Sequence, residues 1–273
     1  MNDAEKNNLL WWNEVTPGHV EHYGEFFVGV DEFLNGKTTL PDVQLKELGN
    51  LKNKKLLHLQ CHFGLDTLSL AREGAIVTGI DFSDASIEEA KILAEKASID
   101  ARFICSNVYD LKEVLKDEKH TFDFVYTSQG VLCWLKDINE WARIISFLLK
   151  DGGTFYIQDS HPFCNPIGKF EKNSIKIEYP YFSTDKPSQF PAEWGDYANA
   201  GFIPKVGTIE WHWSMGEVVT ALINAGLRIE FLHEYDNLFY QWHDEMVKTD
   251  KGWVFPDLEG KLPLTFTLKA TKR

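Results

Sequence analysis

Hydrophobic and polar positions follow a regular pattern between residues 55 and 158. Short apolar runs, LLHL, AIVTGID, ARFICS, FDFVYT and TFYIQD, have the length and composition of buried strands. Several of the segments between them place apolar residues at three- and four-residue spacing, as at Leu65, Leu68 and Ala71, which is typical of one face of a helix. Strands that alternate with helices predict a parallel sheet with right-handed crossovers and helices on both faces.

Capping residues support two of these helices. Gly74 follows the first one, and glycine readily adopts the left-handed conformation that is common just past a helix end. Ser83 or Asp84 is the expected N-cap of the helix over FSDASIEEAKILAEKA, because short polar side chains accept hydrogen bonds from the free N–H groups of the first turn.

The pattern changes on either side of this core. The N-terminal part predicts a helix over NNLLWWNEV, a break at Thr16-Pro17-Gly18 and a second helix over HVEHYGEFF. The C-terminal part predicts a helix over MGEVVTALINAG and strands over LRIEFLHEY and LPLTFTLKAT. Between core and C-terminal part lies a long stretch rich in proline, glycine and aromatic residues, and so long a loop in a compact domain is usually functional, often a lid. We expect one domain, 1–273, with an N-terminal helical cap (1–50), a core (55–158), an aromatic insertion (159–213) and a C-terminal helix with strands (214–273).

Composition and charge narrow the possible functions. Of the 273 residues, 44% are hydrophobic and 25% are charged, which is typical of a soluble globular protein. The net charge of −13 repels a phosphate backbone, so we expect no nucleic-acid partner. A polar N-terminus and the lack of a long apolar run predict no signal peptide, no membrane association and a cytoplasmic location. The four cysteines contain no CxxC pair, which argues against a zinc ribbon and a disulfide framework.

The segment LLHLQCHFGLD raises two interpretations. His58, Cys61 and His62 are good zinc ligands, but a strand directs His58 away from its neighbours and no second ligand cluster follows. In the other interpretation the strand ends at the carboxyl edge of a parallel sheet and turns tightly into a helix whose N-terminus faces a cofactor. Asp81 then ends the next strand, seventeen residues after Gly64, where nucleotide-binding α/β folds place the acid that binds ribose. We favour the cofactor loop and expect no metal.

These motifs resemble those of class I S-adenosylmethionine-dependent methyltransferases, in their small-molecule branch. LLHLQCHFGLDTLSLAREGAIVTGIDFS looks like the first motif block, and FDFVYTSQGVLCWLKDINEWARIISFLLKDGGTFYIQD like the fourth strand, fourth helix and fifth strand. The C-terminal helix and strands are similar to the family's ending. The resemblance implies an α/β, Rossmann-like fold with a seven-stranded, mostly parallel sheet, an antiparallel last strand, helices on both faces and an N-terminal helical cap.

One departure from the family pattern concerns the cofactor loop itself. The family usually has an acid near the strand end followed by three alternating glycines, and these positions read His58, Gln60, His62 and Gly64 here. The chain is similar to a subgroup with the same LHLQCHFG string, which implies that the substitutions are compatible with cofactor binding. Backbone approach to the cofactor must then occur with side chains present.

The resemblance also implies site residues. For binding S-adenosyl-L-methionine they are Trp12, Gln60, Cys61, His62, Gly64, Asp81, Phe82, Ser83, Asn107, Val108, Thr127, Ser128 and Gln129. His161, at the end of the fifth strand, is the candidate general base. Several have a simpler alternative: Asp81 as a turn acid or N-cap, Thr127 to Gln129 as turn caps, and His161 as a loop residue. His62 is either a loop histidine of no special chemistry or a residue that binds the cofactor carboxylate or shapes the loop backbone. The aromatic residues of the insertion fit either a hydrophobic core or the wall of a substrate pocket.

The expected function is methyl transfer to a small-molecule acceptor, with alignment of nucleophile, methyl carbon and sulfur as the main source of catalysis. One alternative is a scaffold that binds the cofactor without turnover, since fold alone does not establish activity. Another is an NAD-dependent dehydrogenase, although the G-x-G-x-x-G motif is missing. The sequence leaves the acceptor and the oligomeric state open.

Overall fold

The computed structural model describes residues 1–25, 27–171, 174–199 and 201–273. The helices are α1 (Asp3–His22), α2 (Val30–Leu34), α3 (Asp42–Leu48), α4 (Leu65–Arg72), α5 (Asp84–Ala97), α6 (Leu111–Val114), α7 (Ile138–Leu148) and α8 (Met215–Asn224). The strands are β1 (Lys55–Leu59), β2 (Ile76–Asp81), β3 (Arg102–Cys105), β4 (Phe122–Ser128), β5 (Leu149–Ser160), β6 (Ile167–Glu171), β7 (Ser174–Ile177), β8 (Ser188–Phe190), β9 (Thr208–Glu210), β10 (Leu227–Tyr235), β11 (Val247–Thr249), β12 (Gly252–Val254) and β13 (Thr265–Lys272).

The main sheet has the predicted composition. Within the described residues it contains seven strands in the order β10-β13-β5-β4-β1-β2-β3. The pairs β1–β2, β2–β3, β1–β4 and β4–β5 are parallel, whereas β13 is antiparallel to both of its neighbours, β5 and β10. The predicted fold class, a mostly parallel seven-stranded sheet with an antiparallel last strand, is therefore confirmed.

The strand order determines where a ligand can bind. From β1 the chain continues to β2 and β3 on one side of the sheet, and β4 and β5 lie on the other side. The loops that follow β1 and β4 therefore diverge and leave a crevice at the carboxyl ends of these two strands. Ligands of open α/β sheets bind at such a switch point.

Helices cover both faces of the sheet, because each predicted amphipathic helix buries its apolar side. On one face, Trp141 and Ile145 of α7 and Leu222 of α8 are fully buried against the sheet. On the other face, Leu68 of α4 packs with Ile87 of α5 in a second cluster. The described helices are all too short or too polar to cross a lipid bilayer.

The predicted break in the N-terminal cap is wrong. Helix α1 runs without interruption through Pro17, although this residue lacks the N–H that a helix interior uses. Thr16 Oγ1 donates to Trp12 O (2.7 Å) and lies 2.8 Å from Ser86 Oγ of α5, so tertiary contacts hold the helix at the proline. The expected second helix over HVEHYGEFF reaches Phe26, which lies outside the described residues; the part before it belongs to α1 and to a short 3-10 turn.

The insertion, residues 159–213, contains regular structure that its composition did not indicate. In the part that the structure describes, β6 pairs with β7 and β8 pairs with β9, both antiparallel. Asn8 of α1 bonds to the backbone of Ile209 in β9 through both its amide nitrogen and its amide oxygen. The insertion and the N-terminal cap are therefore joined above the sheet.

Candidate functional site

A cavity opens at the carboxyl ends of β1, β2 and β4. Together with its open mouth it spans about 1020 Å³ of space that no protein atom occupies. Most of the predicted cofactor-binding residues line it: Trp12, Gln60, Cys61, His62, Gly64, Asp81, Phe82, Asn107, Val108, Ser128 and Gln129. The structure thus brings together residues from one end of the chain and from four successive loops.

The loop after β1 keeps a left-handed backbone, which favours glycine, although two of the three glycines of the family pattern are replaced by Gln60 and His62. Gln60, His62 and Gly64 have φ angles of 56°, 52° and 86°, so all three alternating positions are left-handed. This conformation costs roughly 1–2 kcal/mol for a residue with a side chain. Backbone bonds hold the turn, since Cys61 N donates to Ile80 O (2.8 Å) and Gly64 N donates to Cys61 O (3.0 Å). The loop accepts the strain of two side chains at its conformationally demanding positions.

Gly64 is the one position in this loop where a side chain does not fit. A Cβ there would lie 2.9 Å from Ala90 Cβ and 3.0 Å from two atoms of the Phe103 ring. Helix α4 must therefore start in direct contact with α5 and β3. This packing explains why the last glycine of the family pattern is present while the others are replaced.

Asp81 lies at the floor of the cavity and organises the loop. Its Oδ2 accepts a hydrogen bond from His62 N (2.9 Å), and its Oδ1 accepts one from Ser83 N (2.9 Å). Burial raises the pKa of this carboxyl to about 6, against the opposing effect of the backbone N–H donors. Each carboxylate oxygen retains a lone pair for a ligand hydroxyl.

Two buried polar atoms beside the cavity have no hydrogen-bond partner among the described residues. They are Gln60 Oε1 and His58 Nε2. Gln60 Nε2 donates to Val131 O (3.1 Å), and His58 Nδ1 lies 2.8 Å from Thr67 Oγ1, so both side chains are oriented by their other ends. Buried polar atoms without partners are costly, and an N–H or O–H group of a bound ligand would satisfy the Gln60 oxygen.

Asn107 lies in the cavity lining, but its side chain already has partners. Its Oδ1 accepts from Tyr109 N (3.0 Å), and its Nδ2 donates to Glu5 Oε1 of α1 (3.1 Å). Glu5 also accepts from Lys136 Nζ (2.8 Å), which joins the cap to the loop before α7. The family resemblance implies that Asn107 contacts the adenine amino group of the cofactor, and this contact would use the second lone pair of the Asn107 oxygen.

Two predicted cofactor-binding residues are not among the described residues that line the cavity. Ser83 is the N-cap of α5, where its Oγ accepts from Ser86 N (3.0 Å) and donates to Asn13 Oδ1 (2.7 Å). Thr127 is fully buried, and its Oγ1 donates to Leu59 O (3.2 Å). Ser83 is therefore the N-cap of α5, and Thr127 joins β4 to β1 rather than capping a turn.

His161, the candidate general base, also lies outside the described cavity lining. Its Nδ1 accepts from Phe163 N (3.1 Å), and its Nε2 lies 2.9 Å from Glu234 Oε1 of β10. Burial lowers the pKa of this imidazole, against the influence of Glu234. The neighbouring Asp159 accepts from the backbone N–H groups of Gly130, Val131, Leu132 and Ser160, so it shapes the loop after β4.

The sequence analysis missed several residues of this site. In the cavity lining they are Glu5, Tyr23, Asp66 and Trp134, and beside it they are His19 and Asp196. His19 Nε2 lies 2.7 Å from Asp196 Oδ1, and His19 Nδ1 lies 3.1 Å from His62 Nε2. The chain separation of His19 and Asp196 is 177 residues, so no local pattern could reveal the pair.

Aromatic rings form one wall of the cavity. The Trp12 ring lies 5.0 Å from the His62 ring and 5.4 Å from the Trp134 ring, and Tyr23 and Tyr197 complete the wall. Aromatic faces attract cations and stack with planar ligands. Of the aromatic residues in the insertion, Tyr197 is therefore a pocket residue.

The side chains of the HLQCH segment do not converge on one point. His58 is directed to Thr67, Cys61 Sγ lies 3.6 Å from His62 O, and His62 is directed to His19. Among the described residues, no group of three or more His, Cys, Asp or Glu side chains is arranged to hold a metal ion.

The sequence matches to known proteins lie mainly in the core of the chain. Residues 57–157 match the profile of a family described as a methyltransferase domain. A ubiquinone biosynthesis O-methyltransferase of Coxiella burnetii is 32% identical over 106 residues, which is 39% of this chain and 43% of the relative. The corresponding protein of Pelagibacter ubique is 36% identical over 107 residues, 39% of this chain and 42% of the relative. The chain thus spans less than half the length of these curated relatives.

Solved structures share the fold over most of the chain. An S-adenosylmethionine-dependent methyltransferase from Mesorhizobium loti has a TM-score of 0.59 at 19% identity, and the alignment covers 88% of this chain and 100% of that one. A geranyl diphosphate C-methyltransferase from Streptomyces coelicolor has a TM-score of 0.55 at 14% identity, with 85% and 74% covered. At these identities the likeness shows the fold.

Proposed function

We propose that this chain is an S-adenosylmethionine-dependent methyltransferase acting on a small-molecule acceptor, because residues 57–157 match the model of a methyltransferase domain. The main support is the loop after β1. It has left-handed backbone at Gln60, His62 and Gly64 and is bonded to Asp81, so that a tight turn and a buried acid share one cavity.

The residues present fit the cofactor. Asp81 would accept hydrogen bonds from the ribose hydroxyls, at the position where this fold binds a nucleoside. Gln60 Oε1, buried and without a partner among the described residues, would accept from the ammonium group of the methionine part. The aromatic wall at Trp12 and Trp134 suits a cationic sulfonium.

When bound, the cofactor supplies a methyl group on a positively charged sulfur, which is a good leaving group. The chain's own residues then orient the two reactants and exclude water. Helix α1 closes one side of the cavity through Glu5 and Trp12, and the insertion contributes Tyr197. Such alignment can supply most of the rate enhancement of a displacement reaction.

The acceptor is proposed from the cavity and from the relatives. The aromatic wall favours a planar or apolar small molecule, and the curated relatives carry the name ubiquinone biosynthesis O-methyltransferase. A macromolecular acceptor fits less well, because α1 and the insertion form part of the cavity wall above the sheet edge.

Isothermal titration of the chelator-treated protein with S-adenosylmethionine, S-adenosylhomocysteine and NAD tests the proposal. We expect micromolar binding of the first two and none of NAD. Binding of NAD alone would indicate a dehydrogenase, and binding of none of the three would contradict the cofactor assignment. Binding without turnover of any acceptor in a broad panel of hydroxyl, amine and thiol compounds would favour a binding scaffold.

A further inference from the structure

From the contacts of two buried residues, His19 and Asp196, with the half-buried His62 we infer that the three form a relay that presents a basic nitrogen, His62 Nδ1, to the cavity. The relay makes His62 the general base for an acceptor whose reacting group is O–H or N–H. This inference rests on the proposed methyltransferase function and deepens it, because it names the acceptor class and the proton-accepting atom.

The hydrogen bonds determine the tautomer of both rings. Asp196 Oδ1 is an acceptor, so the nitrogen 2.7 Å away, His19 Nε2, carries a hydrogen. In a neutral ring His19 Nδ1 is then an acceptor, and His62 Nε2, 3.1 Å away, must be the donor. His62 Nδ1 therefore holds a lone pair.

The position of this lone pair suits a base. His62 lines the cavity, and its Nδ1 makes no hydrogen bond among the described residues. The side chains of His19 and Asp196 are both fully buried, so bulk water does not compete for their bond. A carboxylate behind a histidine orients the ring and stabilises the cation that forms on proton uptake, which is the arrangement of hydrolytic triads.

The proposed step transfers one methyl group and one proton. The acceptor oxygen or nitrogen forms a bond to the methyl carbon as the bond between that carbon and the donor's sulfur breaks, and the electron pair of the broken bond stays on sulfur. The acceptor's proton goes to His62 Nδ1. The imidazolium keeps its Nε2 hydrogen bond to His19, which Asp196 holds in place.

The relay also defines how protonation affects the reaction. Burial, together with the nearby His19, lowers the pKa of His62 well below its usual range, so the ring is neutral at neutral pH. The rings of His19 and Tyr23 from the cap pack against it, and the carboxylate of Asp81 accepts from the backbone N–H of His62. Asp66 and Tyr197 line the same cavity, and Asp196 is bonded to His19. Turnover should therefore fall only below the ordinary histidine pKa of about 6.5.

The first test needs no known acceptor. We would record nitrogen NMR spectra of the full-length protein labelled at its histidines, with and without S-adenosylhomocysteine. We expect the proton of His62 to be on Nε2 and not on Nδ1 in the wild-type protein. In Asp196→Asn we expect it to be on Nδ1 instead. A protonated Nδ1 in the wild-type protein would overturn the relay.

The second test measures turnover with two probes at about pH 8: catechol, whose hydroxyl is protonated, and 4-nitrocatechol, whose acidic hydroxyl is largely ionised. His62→Asn keeps a residue that tolerates the left-handed backbone but lacks the base. It should lower kcat for catechol on the order of 10²- to 10⁴-fold, as expected for a general base, and much less for 4-nitrocatechol. Asp196→Asn should also lower kcat more for catechol than for 4-nitrocatechol, with a smaller loss than in His62→Asn.

A matched control is His233→Gln, which removes another carboxylate-paired histidine, bonded to Glu47 at 2.7 Å and half-exposed. It should change neither probe. If His62→Asn slows both probes equally, His62 has a structural role and the inference is wrong. If the variant binds the cofactor about ten-fold more weakly while kcat is preserved, His62 binds the cofactor and the inference is also wrong. Failure of the wild-type protein to bind S-adenosylmethionine would instead contradict the proposed function. If the wild-type protein methylates neither catechol, the NMR spectra decide whether the relay exists.

Discussion

At the residue scale, Asp81 combines two roles that can be separated. Its carboxylate accepts from His62 N and Ser83 N and faces the cavity, and burial raises its pKa to about 6. An amide at this position would keep one acceptor oxygen for the loop but lose the charge. The residue is therefore suited to a substitution that tests ligand binding with little change in the fold.

We predict that Asp81→Asn weakens binding of S-adenosylhomocysteine on the order of ten-fold or more, since a hydrogen bond to a charged group contributes roughly 1.5–3 kcal/mol. Affinity in the wild-type protein should also fall as the pH drops through about 6, because protonation removes the acceptor charge, and this dependence should be lost in the variant. Titration calorimetry measures both. Asp84→Asn, which removes the neighbouring charge at the start of α5, should have no such effect.

At the element scale, the turn from β1 into α4 shows what the sequence could predict. Strand, turn, helix and the following acid are close in the chain, so their pattern indicated both the fold and the cofactor loop. Pro17 was misinterpreted because the local rule for proline was overridden by contacts of α1 with α5 and β9. His19 and Asp196 were missed because only the packing of the insertion against α1 brings them together.

The same turn predicts a difference between two glycines. Gly64 and Gly226 are both left-handed, but a Cβ at Gly226 meets no atom within 4 Å, whereas one at Gly64 would collide with Ala90 and Phe103. Gly226→Ala should lower the free energy of unfolding by about 1–2 kcal/mol, from the backbone conformation alone. Gly64→Ala should lower it by roughly a further 1–3 kcal/mol from overpacking. Urea unfolding measures both, and equal losses would show that α4 and α5 can separate at this contact.

At the scale of the whole molecule, the cavity lies between three parts of the chain that are distant in sequence. The cap contributes Glu5 and Trp12, the core contributes the loops after β1 to β4, and the insertion contributes Tyr197. The core could be predicted from the periodicity of its apolar residues. The way the cap and the insertion pack on the core could not be predicted, because they do so through individual hydrogen bonds and ring contacts that leave no periodic pattern in the sequence. The expectation that nucleic acid is not a partner rests on the net charge of −13 and stays a prediction.

A ligand that binds between these parts should stabilise the molecule as a unit. At a concentration one hundred times its Kd, S-adenosylhomocysteine should add about 2.7 kcal/mol to the free energy of unfolding, which raises Tm by a few degrees in a chain of this size. In Asp81→Asn, at the same ligand concentration, a ten-fold weaker Kd should reduce the gain to about 1.4 kcal/mol. Thermal unfolding followed by tryptophan fluorescence measures the shift, with NAD as the control ligand. Because Trp11, Trp12 and Trp134 pack together at the cap, a fluorescence change that precedes loss of the sheet would show that the cap opens separately and would contradict unfolding as a unit.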